Sequence, residues 1–297
     1  MEQLNIKIIG LGEGGARAVN KMLAAKIGFG KQVEYICVGT DENILLTSNT
    51  RKNIFLNRDI TTLYKNFTDA LQDAKLIFIV GGLGSNAARG AVPIITSCAK
   101  NFGAVTVAFF CRPFVLENVL RKENAQCTLK NLRGKVDTLF ILPAEKLFIL
   151  RINQPQVSLD ELFDVADDIF CNGVKIFLDM LTDSGNNLVL FKWGNAAFGY
   201  GSAKNALDAI KAAVKFPILD EDDVKGASII LVRLVGGKTI KLGAIDAVNN
   251  FIKARLKPDA EFFSQEDVDS TLGDKIFASI VFTRNTGAHM DVRPSPR

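Results

Sequence analysis

The chain has 297 residues, of which 48% are hydrophobic and 23% charged, with a net charge of +4. That is the composition of a globular protein with one large core or two smaller ones. It has no basic run that would suit nucleic acid or a membrane surface, and no apolar stretch near the roughly 20 residues that span a bilayer. Five scattered cysteines (Cys37, Cys98, Cys111, Cys127, Cys171), none in CxxC spacing, argue against a zinc site or disulfide framework and fit a reducing, cytoplasmic setting. The only histidine, His289, lies in a polar tail, so neither histidine catalysis nor a metal site is expected.

The N-terminus enters a strand within a few residues, and no targeting segment is expected. "NIKIIG" reads as a strand and "GEGGARAVNKMLAA" as a glycine turn opening a helix. "VEYICVGTD" is a second strand, "TLYKNFTDALQDA" a helix, and "KLIFIVGG" a third strand before a helix from about Ala91 to Asn101. "AVTVAFFC" and, after a polar Lys/Arg-rich stretch, "VDTLFILP" complete five strands. This alternation predicts an α/β fold with a parallel sheet covered on both faces.

From Leu159 to Thr182, apolar or small residues recur at spacings of three and four: Leu162, Ala166, Ile169, Gly173, Phe177 and Met180. That predicts one long helix, with Ser158 and Glu161 as its capping box. Two helices and three strands follow in an α+β arrangement, ending in a tail without a core pattern. The expected divisions are a parallel-sheet α/β domain over 1–157, a central helix over 158–184, an α+β domain over 185–284 and a disordered tail over 285–297.

Gly10 to Gly15, "GLGEGG", fits GxGxxG between a strand and a helix, the context of a phosphate or dinucleotide site. A second glycine loop, "VGGLGSNAARG", follows the third strand. A dehydrogenase has no need of it; two loops at one sheet edge suit a mononucleotide held from two sides. This disfavours a nicotinamide-dependent oxidoreductase.

These segments, with "VGTDENIL", the run from "LIFIVGG" to "FFCRPF", the long helix, "GYGSAKNALDAIKAAV" and "ASIILVRLVGG", resemble FtsZ, the bacterial tubulin homologue, in the same order over the globular chain. The resemblance implies a Rossmann-like GTPase domain, a long central helix and a smaller C-terminal domain. It implies nucleotide contacts from Gly12, Gly14 and Gly15 in the first loop and Gly82, Gly84, Asn86 and Gly90 in the second. Glu117 and Arg121 match the family's ribose-side pair, and Phe163 and Asp167 the residues that stack on and hydrogen-bond the base.

Several family positions are altered. The GGGTGTG signature is Gly84, Ser85, Asn86, Ala87, Ala88, Arg89, Gly90, with only its outer glycines kept. Arg17 and Ala144 replace two asparagines that read guanine, and Glu13 sets a carboxylate near the expected phosphates. The glycine-rich γ-phosphate loop has no counterpart in "NIFLNRDITTLYKNFTDAL". The acidic hydrolytic loop is replaced by "LTDSGNNLVLFKWG", with Asp183 its nearest carboxylate. No catalytic residue is therefore assigned, and hydrolysis of the family's type is expected to be lost.

Glu13, Arg17 and Arg89 map to the emptied phosphate site. They could form an internal ion pair there, hold another anion, or be solvated. Leu188, Val189, Leu190, Phe191 and Trp193 form an interaction surface if exposed, or an edge strand or core if buried. The expected function is a divergent FtsZ-like scaffold that assembles with itself or with an FtsZ-type subunit. GTP or GDP would be an optional ligand rather than a required cofactor. The alternative is a slowly hydrolysing, filament-forming paralogue. No membrane-docking peptide resembles any part of the tail, so direct membrane attachment is not expected.

Overall fold

The computed structural model describes residues 4–151, 157–183, 188–219 and 221–283. β1 (Ile6–Leu11) is buried at every residue, and α1 (Gly12–Ala24) starts directly at its end. β2 (Val33–Gly39), α2 (Glu42–Leu46), β3 (Lys52–Phe55), α3 (Ile60–Leu71), β4 (Leu76–Gly82) and α4 (Asn86–Phe102) follow. Next come β5 (Val105–Cys111), α5 (Val119–Leu132), β6 (Thr138–Leu142), a 3-10 turn over Ala144–Arg151 and α6 (Leu159–Asp183). The six strands pair only in parallel, in the order β3-β2-β1-β4-β5-β6. Parallel pairing places the strands' carboxyl ends, and the loops leaving them, at one edge.

The chain divides into two compact units at Gly194/Asn195, and α6 belongs to the first. The capping box at its start is formed: Glu161 N–H donates to Ser158 Oγ (3.2 Å), and Ser158 N–H to Glu161 Oε2 (2.8 Å). Leu162, Ala166, Ile169, Phe177 and Met180 are all buried, and so are Phe170, Val174, Ile176 and Leu178. A helix enclosed this widely is a core element rather than a surface one. Phe177 anchors it, its ring 5.5 Å from Phe140, 6.1 Å from Phe109 and 5.0 Å from Phe191.

That last contact decides between the two alternatives left open for this segment. Phe191 and Trp193 are buried, so they offer no interaction surface. The Thr138 hydroxyl donates to the Phe191 carbonyl and accepts the Trp193 N–H, which ties this segment to β6. Leu188 is half-buried, while the side chains of Val189, Leu190 and Asp183 lie outside the described residues, as does the tail beyond residue 283.

In the second unit β7 (Gly194–Ala203) pairs antiparallel with β10 (Ile276–Thr283), which pairs antiparallel with β8 (Ile229–Gly236). β8 pairs parallel with β9 (Glu261–Val268) through the crossover helix α9 (Leu242–Lys253). α7 (Ala206–Val214) and α8 (Glu221–Gly226) join α9 in packing an aliphatic core that includes Ile210, Val224, Val232, Val248 and Ile280.

Candidate functional site

A cavity of about 150 Å³ opens where β1, β4 and β5 end. Of the anticipated residues, Gly14, Gly82, Gly84, Glu117, Arg121, Phe163 and Asp167 line it. Gly12, Gly15, Asn86 and Gly90 do not, and their surroundings say why. Gly12 has φ +68, and a Cβ there would lie 3.2 Å from Ser85, so it joins the two loops to each other. A Cβ on Gly15 would lie 2.7 Å from both the Gly10 carbonyl carbon and the Val80 oxygen, which makes it a helix-to-sheet packing residue. Asn86 and Gly90 are exposed on the first turns of α4.

The second glycine loop is largely self-satisfied. Leu83 N–H donates to the Cys111 carbonyl (2.9 Å) and Ser85 N–H to that of Gly82 (3.2 Å). Ser85 is the N-cap of α4: its Oγ accepts from Ala88 N–H (3.0 Å) and its carbonyl from Arg89 N–H (3.1 Å). Ser, unlike Gly, can cap a helix with its own side chain. Four amides of this loop, those of Leu83, Ser85, Ala88 and Arg89, are thus bonded within the chain.

Asn124, buried on α5, holds this arrangement. Its Nδ2 donates to Asn86 Oδ1 (2.9 Å) and to the Gly84 carbonyl (3.3 Å), while its Oδ1 accepts from Arg89 Nη1 (2.9 Å). Arg89 is therefore turned towards α5 and away from the cavity. Substituting Asn124 by Ala leaves the Arg89 and Asn86 groups without this partner and should cost about 2 kcal/mol, read as a lower denaturant midpoint at unchanged slope.

Glu13 is exposed and pairs with neither arginine, so the internal Glu13–Arg17 pair is not formed. Arg17 instead turns to α6. Its Nε lies 3.2 Å from Asp167 Oδ2, and its guanidinium carbon 4.9 Å from the centre of the Phe163 ring. Phe163 and Asp167 sit four residues apart and so share a helix face. One turn further along α1, Lys21 Nζ meets Asp168 Oδ1 at 2.6 Å.

Asp167 is only 3% exposed. Burial pushes its carboxyl up to about 6, against the opposing pull of Arg17. Glu117 Oε1 accepts from Phe114 N–H (2.8 Å). Its buried Oε2 has Arg121 Nη1 at 2.7 Å, out of line for a hydrogen bond, and so has a counter-charge and no donor. The cavity thus offers an aromatic face and two carboxylates with unused acceptor capacity.

Sequence reasoning missed Arg112 and Pro113, which also line the cavity; the available signal was their place immediately after a parallel strand. Among the described residues no cluster of three or more His, Cys, Asp and Glu side chains could hold a metal ion. No helix among them is long and apolar enough to cross a membrane.

Glycine turns at the carboxyl ends of parallel strands, over one cavity, are the architecture of nucleotide-binding α/β proteins. Comparison with known proteins narrows the class. The family profile "Tubulin/FtsZ family, GTPase domain" matches residues 61–151, and "FtsZ family, C-terminal domain" matches residues 194–285. A cell division protein FtsZ from Magnetospirillum gryphiswaldense is 29% identical over 94% of the chain, which spans about half (54%) of that relative's length. A point-mutant FtsZ from M. jannaschii superposes with TM-score 0.81 at 26% identity, covering 95% of this chain and 91% of that one. CetZ2 from Haloferax volcanii, described as a GTPγS-bound protofilament, gives 0.76 at 18%, covering 96% and 95%. The chain belongs to the tubulin/FtsZ family.

Proposed function

We propose that this protein is a cytoplasmic, self-assembling scaffold of the tubulin type in which nucleotide hydrolysis no longer drives assembly. The observation that carries this reading is the second glycine loop, whose Leu83, Ser85, Ala88 and Arg89 amides are all bonded within the chain. Such a loop has fewer donors to offer a triphosphate. The sequence also lacks the family's acidic hydrolytic loop, and a general base must reach its water within hydrogen-bond distance. Assembly is supported by Val115, Leu116, Val119 and Leu120, exposed on the segment that carries Glu117. Four exposed apolar side chains within six residues suit a contact with another protein. The partner is a second copy or an FtsZ-type subunit.

Titration of nucleotide-stripped protein with GTP and magnesium in a calorimeter, at two temperatures, is expected to give no heat. Sedimentation is expected to show assembly without nucleotide, lost on Leu116→Asp. Micromolar binding with phosphate release would instead establish the second reading, a slow GTPase. The unused acceptors on Glu117 and Asp167 favour that reading, because a nucleoside would meet them with its sugar hydroxyls and base N–H groups. In that second reading Phe163 and Asp167 would hold the base, and Glu117 and Arg121 the sugar side.

A further inference from the structure

The contact of Arg17 with Phe163 and Asp167 has the chemistry of a ligand contact. A guanidinium is a flat group with adjacent N–H donors, and here it lies over an aromatic ring while donating to a buried carboxylate. A purine edge that carries two adjacent N–H donors would need the same two partners in the same cavity. We propose that Arg17 is an internal plug in the base slot: nucleotide enters only when this side chain swings out, and the plug sets the affinity of the site. The proposal rests on the reading of the cavity as a nucleotide pocket and adds how that pocket is regulated.

Three observations make the plug displaceable. Arg17 reaches Asp167 through Nε alone, so the fork that would engage both oxygens is not used. Among the described residues nothing donates to Asp167 Oδ1, so a ligand with two donors would satisfy the carboxylate better than Arg17 does. The Arg17 side chain is about one-third exposed (33%), which leaves it a short path to water. When it leaves, Lys21–Asp168 still bridges α1 to α6.

The sign of the effect separates a plug from ordinary electrostatics. Removing a cation from an anion's site normally weakens binding; removing a plug strengthens it. The test is titration of the nucleotide-stripped full chain with GDP, and separately with uncharged guanosine. Arg17→Ala should bind both probes at least tenfold more tightly than the unsubstituted protein, whose own binding is expected to lie below calorimetric detection. Arg17→Lys keeps the charge without the flat group and should give a smaller gain of the same sign; it also carries the test if the alanine variant fails to fold. Lys21→Ala, which removes a neighbouring charge outside the cavity, should give no gain with guanosine.

Equal or weaker binding of both probes to the Arg17 variants overturns the plug. If neither the unsubstituted protein nor the variants bind, the plug fails and the scaffold reading stands. If all bind equally tightly, the plug fails and nucleotide-independent assembly must be retested by sedimentation.

Discussion

Replacing Gly15 with alanine is expected to destabilise the protein by about 3 kcal/mol, although alanine is the better helix former. The added Cβ would lie 2.7 Å from the Gly10 carbonyl carbon, 2.7 Å from the Val80 oxygen and 3.0 Å from Gly10 Cα. All three are backbone atoms of the central strands β1 and β4, which cannot rotate away. The first turn of α1 must therefore lift from the sheet, and the cavity floor lifts with it. Gly14 is the matched control: nothing lies within 4 Å of its Cβ position. Gly14→Ala should thus gain about 0.5–1 kcal/mol from helix propensity alone. Denaturant unfolding of the two variants should move the midpoint in opposite directions. A shift of less than 1 kcal/mol for Gly15→Ala would show that α1 and the sheet are not in this close contact.

The second large effect is a pH dependence centred on Asp167. Its carboxyl is raised from 3.8 to about 6 in the folded protein, mainly by burial. A raised folded value means that the native state holds the proton more tightly than the unfolded chain. The group's stabilising contribution is complete below about pH 4 and is lost as the pH rises through 6. At 1.36 kcal/mol per unit the loss amounts to about 3 kcal/mol. Asp167→Asn cannot ionise and should escape it. The stability of the Asn variant relative to the unsubstituted protein should therefore rise by about 3 kcal/mol between pH 3 and 7.5. Parallel stability curves for the two proteins would mean that Asp167 titrates like an exposed carboxylate.

Apolar runs made β1, β2, β4, β5 and β6 legible, because a strand buried on both faces leaves a continuous signal. β3 was not read. Lys52–Phe55 is four residues long at a sheet edge with one fully buried residue, too short to show a period. α5 was passed over as a polar stretch because its inward side carries Asn124 and Thr128 among its apolar residues. β7 was hidden by Gly199 and Gly201, which are needed where α7 backbone comes so close that a Cβ on Gly199 would lie 2.2 Å from the Ala213 oxygen. α7 accordingly starts only at Ala206, capped by Asn205.

The cavity's residues were mostly legible, and its pairings were not. The i,i+4 spacing of Glu13 and Arg17 made a local pair attractive, yet Arg17 is committed 150 positions along the chain. Arg89 likewise finds its partner on a helix that sequence patterning did not reveal. Spacing reports neighbours along one element, whereas the charge that decides this cavity comes from a second one.

The position of β1 has a consequence for biosynthesis. It is made before both of its neighbours and is buried at every residue, yet it lies between β2 and β4, and β4 ends only at Gly82. While the ribosome completes that stretch, an apolar strand must wait with at least one edge unpaired. Parallel pairing across such separations is slow and exposes the nascent chain to aggregation. Until β4 is complete, "IKIIGL" is therefore a segment for ribosome-associated chaperones to cover.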